Sequence, residues 1–252
     1  VCKFTDILPF PKNKLFPLLK SKEMARIKPS KHIIWFDELT DNDGQVAAVE
    51  INPEEDIAVL QYTGGTTGVS KGATLTHANI LSNVMQAKMW LDVGYRAKGK
   101  PDTINFICAL PPYHIFALTV NAFAGIKEGG HNILITHPRD IPAFVKELSK
   151  VDFHFFPGLN TLFTALMNNE DFKKLDFSNL KLTLGGGMAV QRPVAERWKE
   201  LTGCPISEGY GLSEPSPVAT ANRFDKTEFS GTIGLPLLAI LDYLRIRGQL
   251  PV

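Results

Sequence analysis

From Thr103 to Glu208, short apolar runs alternate with stretches of helical period, and this alternation limits the fold more than any other feature of the sequence. Thr103–Leu110, Asn132–Ile135, Phe153–Phe156, Leu180–Leu184 and Pro205–Glu208 read as strands, rich in apolar residues and bounded by turn-forming ones. Between them, Ala117–Ile126, Asn160–Met167 and the run marked by Val190, Val194, Trp198 and Leu201 read as helices. The clearest helix follows Asp140, where Ile141, Phe144, Val145 and Leu148 recur at i, i+3, i+4 and i+7 with Pro142 in the first turn. Strands and helices joined by short connections predict an α/β fold of largely parallel layered sheets flanked by helices. In open parallel sheets, ligands bind outside the carboxyl ends of the strands, so chemistry is to be sought there.

Composition narrows the function classes. The chain has 252 residues, 44% of them hydrophobic, which is enough for a real core. Lys+Arg 27 against Asp+Glu 26 gives a net charge of +1, so nothing global points to nucleic acid or an anionic surface. Cys2, Cys108 and Cys204 are far apart and form no Cys-x-x-Cys pair, which predicts free thiols in a reducing cytosol. No secretory signal is recognisable. Phe106–Ile126 is long enough to span a bilayer, but Pro111, Pro112, Tyr113, His114 and Asn121 make it a buried strand, loop and helix. The first residue, Val1, and the abrupt end at Val252 suggest a piece of a longer protein.

Residues 1–55 read as a solvated lead-in, with Lys12, Lys14, Lys20, Lys22, Lys28 and Lys31 scattered among prolines and an edge strand expected at Lys31–Phe36. Further on, Thr76 is an N-cap for a helix from His77 to about Leu91, with Ile80, Leu81, Val84 and Met85 as its apolar face. Gly94–Lys100 then reads as a turn.

The richest local chemistry lies in Tyr62–Gly72, between the apolar run Ile57–Leu60 and the alternating Ala73–Thr76. Gly64, Gly65, Gly68 and Gly72 permit close backbone approach, so successive N–H groups can turn toward one anion. Thr63, Thr66, Thr67 and Ser70 add hydroxyls, and Lys71 adds a mobile charge suited to phosphate. A Gly/Thr-rich hairpin turn with a surface lysine explains the same residues. The P-loop pattern is not met, because Lys71 is followed by Gly72.

Taken as a block, Thr63–Gly72 resembles the phosphate loop of the AMP-forming adenylating enzymes: acyl-CoA synthetases, luciferases and peptide-synthetase adenylation domains. Ser70 stands where that motif usually has Pro. The resemblance continues in chain order. Pro111-Pro112-Tyr113-His114 is similar to the motif whose ring lines the carboxylate end of the substrate pocket. Leu184-Gly185-Gly186-Gly187-Met188 is similar to the segment packed on adenine and the acyl-phosphate. Glu208-Gly209-Tyr210-Gly211-Leu212-Ser213-Glu214 resembles the Tyr-Gly-x-Thr/Ser-Glu motif, and Gly231-x-Ile233-Gly234-x-Pro236 follows it. Pro138–Pro142, Asn160–Phe163 and Leu175–Phe177 look like bacterial long-chain fatty acyl-CoA synthetases in particular.

The resemblance implies part of the large N-terminal domain of an adenylating enzyme that uses ATP, Mg²⁺ and coenzyme A to activate a long-chain fatty acid through acyl-AMP. Lys71, Thr67 and Glu214 would be catalytic, with Glu214 holding Mg²⁺. Thr63, Gly64, Gly65, Thr66, Thr67, Gly68, Lys71, Gly185, Gly186, Gly187, Glu208, Gly209, Tyr210, Gly211 and Ser213 would bind the nucleotide and its phosphates. Tyr210 would stack on adenine and Ser213 would donate to the α-phosphate. His114, Gly158, Gly187 and Met188 would face the acyl group, with Ile115–Leu118 and Pro157–Asn160 as tunnel walls. Residues 56–236 would be the adenylation core and 237–252 an atypical end. The family's ribose-binding Asp and its C-terminal lysine-bearing domain have no counterpart, so the piece itself is expected to be a poor catalyst. The resemblance implies cytoplasmic residence and leaves open peripheral association with the inner membrane face and a homodimer of the full-length protein. Adenylation of another carboxylic acid, or inactive binding of nucleotide or acyl chains, are the alternative readings. No Gly-x-Ser-x-Gly elbow, zinc spacing or Gly-x-Gly-x-x-Gly turn appears.

Overall fold

The computed structural model describes residues 1–28, 30–45, 47–63 and 70–237, so expectations for 64–69 and 238–252 lie outside the described residues. The chain divides into two units, Val1–Glu50 and Ile51–Val252.

In the first unit, helices α1 (Lys12–Leu19) and α2 (Phe36–Thr40) bury none of their residues. The edge strand expected at Lys31–Phe36 does not form. Its backbone groups go to the start of the chain instead: the Val1 ammonium donates to Ile34 O at 2.7 Å and Phe36 N–H donates to Val1 O at 2.9 Å.

The second unit opens with an antiparallel hairpin, β1 (Ile57–Thr63) and β2 (Lys71–Thr76). Helix α3 (His77–Lys98) follows, then β3 (Asn105–Cys108). Next come α4 (Ile115–Ala117), a π-helical turn Leu118–Phe123, α5 (Ala124–Lys127) and β4 (His131–Leu134). The remainder is α6 (Ile141–Leu148), β5 (Phe155–Gly158), α7 (Asn160–Met167), β6 (Leu182–Gly185), α8 (Arg192–Thr202), β7 (Ile206–Gly211), β8 (Val218–Ala221) and β9 (Leu235–Pro236).

Among the described residues, one seven-stranded sheet has the order β4-β3-β5-β6-β7-β8-β9. The run from β4 to β7 is parallel, while β8 and β9 add antiparallel. Because β4 lies on one side of β3 and β5 on the other, the strand order reverses there, which is the place where a crevice opens at the carboxyl edge.

Burial on both faces explains the near-continuous apolar strands. Ile107, Phe156 and Ile206 point to one core with Phe144, Phe163, Leu166 and Trp198 from α6, α7 and α8. Their neighbours Phe106, Phe155, Leu182 and Leu184 point the other way, to Leu91 and Tyr95 of α3 and Val120 of the π-turn. A third cluster, Leu75, Ile80, Val84 and Ile115, joins the hairpin to α3 and α4.

Helix α3 corrects two expectations. It runs through Gly94 to Lys98, because that glycine lets the helix lie against the sheet: a Cβ there would sit 2.6 Å from Leu182 Cδ2 and from Phe224 Cβ. Its buried face is Ile80, Asn83, Val84, Leu91, Gly94 and Tyr95, whereas Leu81 and Met85 are exposed. The apolar stripe is rotated by part of a turn, and an amide takes the place expected of a hydrophobe.

His154 stitches three strands together. Its Nδ1 accepts from Asn105 N at 2.9 Å, its N–H donates to Asn105 O, and its O accepts from Lys181 and Leu182. Burial pushes its pKa down, helped by Lys181 and opposed by Asp152. With the folded value below the ordinary one, the unfolded chain takes the proton first, so this contribution to stability is complete above about pH 6.5 and lost as pH falls below it. Urea unfolding should show stability falling from pH 7 to pH 5 with a smaller slope in His154→Gln, and equal slopes would contradict this account.

Candidate active site

The hairpin brings its end residue to the site. Thr63 pairs with Lys71, and its Oγ1 donates to Lys71 O at 3.3 Å. The cap of α3 then turns the chain: Thr76 Oγ1 accepts from Asn79 N at 3.3 Å, and Asn79 Oδ1 accepts from Thr76 N at 3.0 Å.

After β3, the segment Pro111–His114 closes with His114 N–H donating to Pro111 O at 2.9 Å. His114 caps α4, its Nδ1 accepting from Phe116 N at 3.2 Å. With Nδ1 committed as an acceptor, the neutral ring carries its proton on Nε2, the nitrogen left free to donate. Following β6, Gly186 N–H donates to Gly158 O at 3.2 Å, and Gly187 turns the chain at φ +73°. At the end of β7, Leu212 N–H donates to Pro217 O at 3.1 Å, folding Leu212–Pro217 into a tight turn that carries Ser213 and Glu214. Gly211 permits that closure, because a Cβ there would lie 2.0 Å from Pro217 O.

These segments meet around one cavity of about 360 Å³ lined by Thr63, His114, Gly186, Gly187, Gly209, Tyr210, Gly211, Ser213 and Glu214. Ile115, Phe116, Leu184, Leu212, Pro217 and Val218 supply its apolar wall. A rim of hydroxyls, an imidazole, an aromatic ring and one carboxylate against an apolar wall suits an amphipathic ligand with a polar, aromatic head.

Other expected site residues do not line it. Gly185 packs inward, where a Cβ would meet Val190 Cγ2 at 2.4 Å, and Gly158 packs against the Phe163 ring. Met188 is exposed beside the turn, and Lys71 is exposed at the start of β2. Glu208 accepts backbone hydrogen bonds from Val190 and Gly231 near Arg192, and its Oε2 is buried without a partner among the described residues. Burial pushes the Glu208 carboxyl above its usual range against those hydrogen bonds. Gly64, Gly65, Thr66, Thr67 and Gly68 lie outside the described residues.

Glu214 is exposed at the rim and enters no ion pair among the described residues. No group of three His, Cys, Asp or Glu side chains suited to a metal occurs among the described residues. One open carboxylate fits Mg²⁺, which takes one or two protein carboxylates and completes its shell with phosphate and water oxygens. Among the described residues no helix is long and apolar enough to cross a membrane.

Sequence reasoning missed Pro217 and Val218 as wall residues, and it missed Asn83. The first two carry no chemical signal. Asn83 does carry one, being an amide in register with Ile80 and Val84 on the inner face of α3.

Residues 11–244 match the family model described as AMP-binding enzyme. A long-chain-fatty-acid–CoA ligase of Yersinia pestis is 56% identical over 182 residues, 72% of this chain and 32% of that protein. Another, of Haemophilus influenzae, is 55% identical over 193 residues, 74% of this chain and 34% of that protein. The chain thus spans about a third of the length of the curated relatives it matches. ATP-bound MatB of Rhodopseudomonas palustris matches in fold with a TM-score of 0.66 at 24% identity, over 80% of this chain and 38% of that one.

Proposed function

Because this chain belongs to the AMP-binding enzyme family, we propose that it forms the adenylate-binding core of an ATP-dependent long-chain fatty acid–CoA ligase. In the first half-reaction a fatty-acid carboxylate oxygen attacks the α-phosphorus of ATP, and the bond to pyrophosphate breaks. In the second, the thiol sulfur of coenzyme A attacks the acyl carbon, its proton is released, and AMP leaves. The observation that carries this reading is the convergence of His114, Gly186–Gly187 and Gly209–Glu214 on one cavity at the carboxyl edge of the sheet.

The residues divide the work along the substrate. The Tyr210 ring, flanked by Gly209 and Gly211, offers a face for adenine. Ser213 donates to the α-phosphate, and Thr63, Lys71 and the glycines and threonines of residues 64–68 hold the leaving phosphates. His114 donates from Nε2 to the substrate carboxylate or its acyl-phosphate ester. Glu214 would hold Mg²⁺, which would supply neutralisation of the phosphate charge. Apart from that, the protein's task is to align two anions and exclude water.

Ile115, Phe116, Leu184 and Val218 favour an alkyl chain over an amino acid, since Glu214 is the sole carboxylate among the described lining residues. The names of the two bacterial relatives support a fatty acid. We divide the chain functionally into a lead-in, residues 1–55, a core, 56–236, and a distinct end, 237–252. Dependence on ATP and coenzyme A assigns it to the cytoplasm, while membrane docking and dimer formation rest on the resemblance alone.

Calorimetry with non-hydrolysable acyl-adenylates tests the substrate class. The palmitoyl analogue should bind at least about tenfold more tightly than the acetyl analogue, the worth of about two buried methylenes. Equal affinities would contradict a fatty-acid site.

A further inference from the structure

Asn83 lies in the middle of α3, 3% exposed, where a hydrophobe would serve packing better. Burying a primary amide is costly unless its donors and acceptor are used. Here they are used on a residue 135 positions away: Asn83 Nδ2 donates to Val218 O at 2.9 Å, and Val218 N–H donates to Asn83 Oδ1 at 3.1 Å. A second Nδ2 contact goes to Gln86 Oε1 at 3.2 Å. One side chain thereby gives Val218 the pair of hydrogen bonds that a neighbouring strand would give it.

Val218 is the downstream foot of the turn that carries Ser213 and Glu214. The same foot is held from the π-helical turn, where buried Thr119 donates from Oγ1 to Ser216 O at 3.0 Å. Ser216 sits at φ +74°, a left-handed conformation that a serine keeps only under restraint from its surroundings. On the upstream side, β7 and the contact of Gly211 with Pro217 leave the turn little slack. Helix α3 begins directly at the Thr76 cap of β2, so the chain runs without a loop from the strand bearing Lys71 to Asn83, whose hydrogen bonds reach the foot of the turn bearing Glu214.

We propose that Asn83 is a positioning residue: from α3 it sets the Ser213–Glu214 turn, and so fixes the spacing between the metal-binding carboxylate and the phosphate-holding hairpin. Thr119 is its companion on the other side of Pro217. The metal role of Glu214 rests on the function proposed above, whereas the pinning of the turn does not.

Two measurements on the 252-residue chain separate those layers. The first is amide hydrogen exchange. In Asn83→Ala, protection at Val218 should fall about tenfold or more while Ile206 in the sheet keeps its protection. Should Asn83→Ala lose its cooperative fold, Asn83→Asp, which keeps the shape and the acceptor, and Thr119→Val provide the same comparison. Unchanged protection at Val218 would overturn the proposal.

The second is a double-variant cycle on Mg²⁺-dependent ATP binding. Asn83→Ala and Glu214→Gln should each weaken it about tenfold, and the double variant should bind no more weakly than Glu214→Gln alone. Additive losses would overturn a role exerted through Glu214. If the unaltered chain bound no Mg²⁺·ATP, the proposed function would fail, and hydrogen exchange would still decide whether Asn83 sets the turn.

Discussion

Trp198→Ala is expected to destabilise the second unit by about 3–5 kcal/mol, the cost of deleting a fully enclosed indole. Trp198 is completely buried on α8, with ring centroids 5.6 Å from Phe156, 4.7 Å from Phe163 and 5.6 Å from Phe172. Those rings come from β5, α7 and the segment after it, so the indole is the common contact of a whole face of the sheet. Its Nε1–H also donates to the buried Thr183 Oγ1 at 3.2 Å, and alanine leaves that hydroxyl only its contact to Cys204 Sγ. For a unit of about this size the thermal midpoint should drop by about 10 °C. Trp198→Phe keeps most of the ring contacts and loses the hydrogen bond, so its cost should be smaller, about 1–2 kcal/mol beyond the lost volume. Urea unfolding of both variants checks the order, and a loss below about 1 kcal/mol for Trp198→Ala would show that this core tolerates a cavity.

Lys71→Ala should weaken ATP binding about tenfold to a hundredfold, the worth of one charge-assisted contact to phosphate. Its effect on an acyl-adenylate analogue should be less than about threefold, because that ligand lacks the departing pyrophosphate. The contrast follows from position: Lys71 begins β2, paired with the lining residue Thr63 but itself outside the lining that Gly186 and Gly187 share. Calorimetry with both ligands gives the comparison directly. Equal losses on the two would mean that Lys71 supports the hairpin rather than the leaving group.

Sequence reading worked where local signals and tertiary packing agree. The Asp140 cap is present, Asp140 Oδ1 accepting from Ala143 N at 3.1 Å, and the helix expected at Asn160–Met167 has those bounds. Period and composition identified the strands because the central ones, β3, β5 and β6, are buried on both faces, and at the half-exposed edge strand β4 the apolar run still carries the signal. The reading failed where packing overrides propensity. Gly94 looks like a helix breaker and is instead a contact glycine in the middle of a longer helix. The apolar Lys31–Phe36 stretch looks like a strand, but among the described residues it has no strand partner and bonds to Val1.

At the site, the order of the motifs along the chain was informative because the strand ends bring them together. Which atoms face the cavity was not legible. Gly158 and Gly185 share the glycine signature of Gly186 and Gly187, and only packing distinguishes core contact from cavity lining. The partner of Asn83 was illegible for a related reason: the amide shows in the helical register, but it bonds a backbone, and a backbone leaves no mark in a residue pattern.

The most direct test of the central claim, that one cavity holds an adenylate, is a titration of AMP into the folded 252-residue chain and its Tyr210→Ala variant, followed by two-dimensional amide NMR. The account predicts saturable shifts clustered at Gly186, Gly187 and Gly209–Glu214, with affinity about tenfold weaker in Tyr210→Ala as base stacking is lost. Saturable binding that moved none of these amides, or that Tyr210→Ala left unchanged, would contradict it.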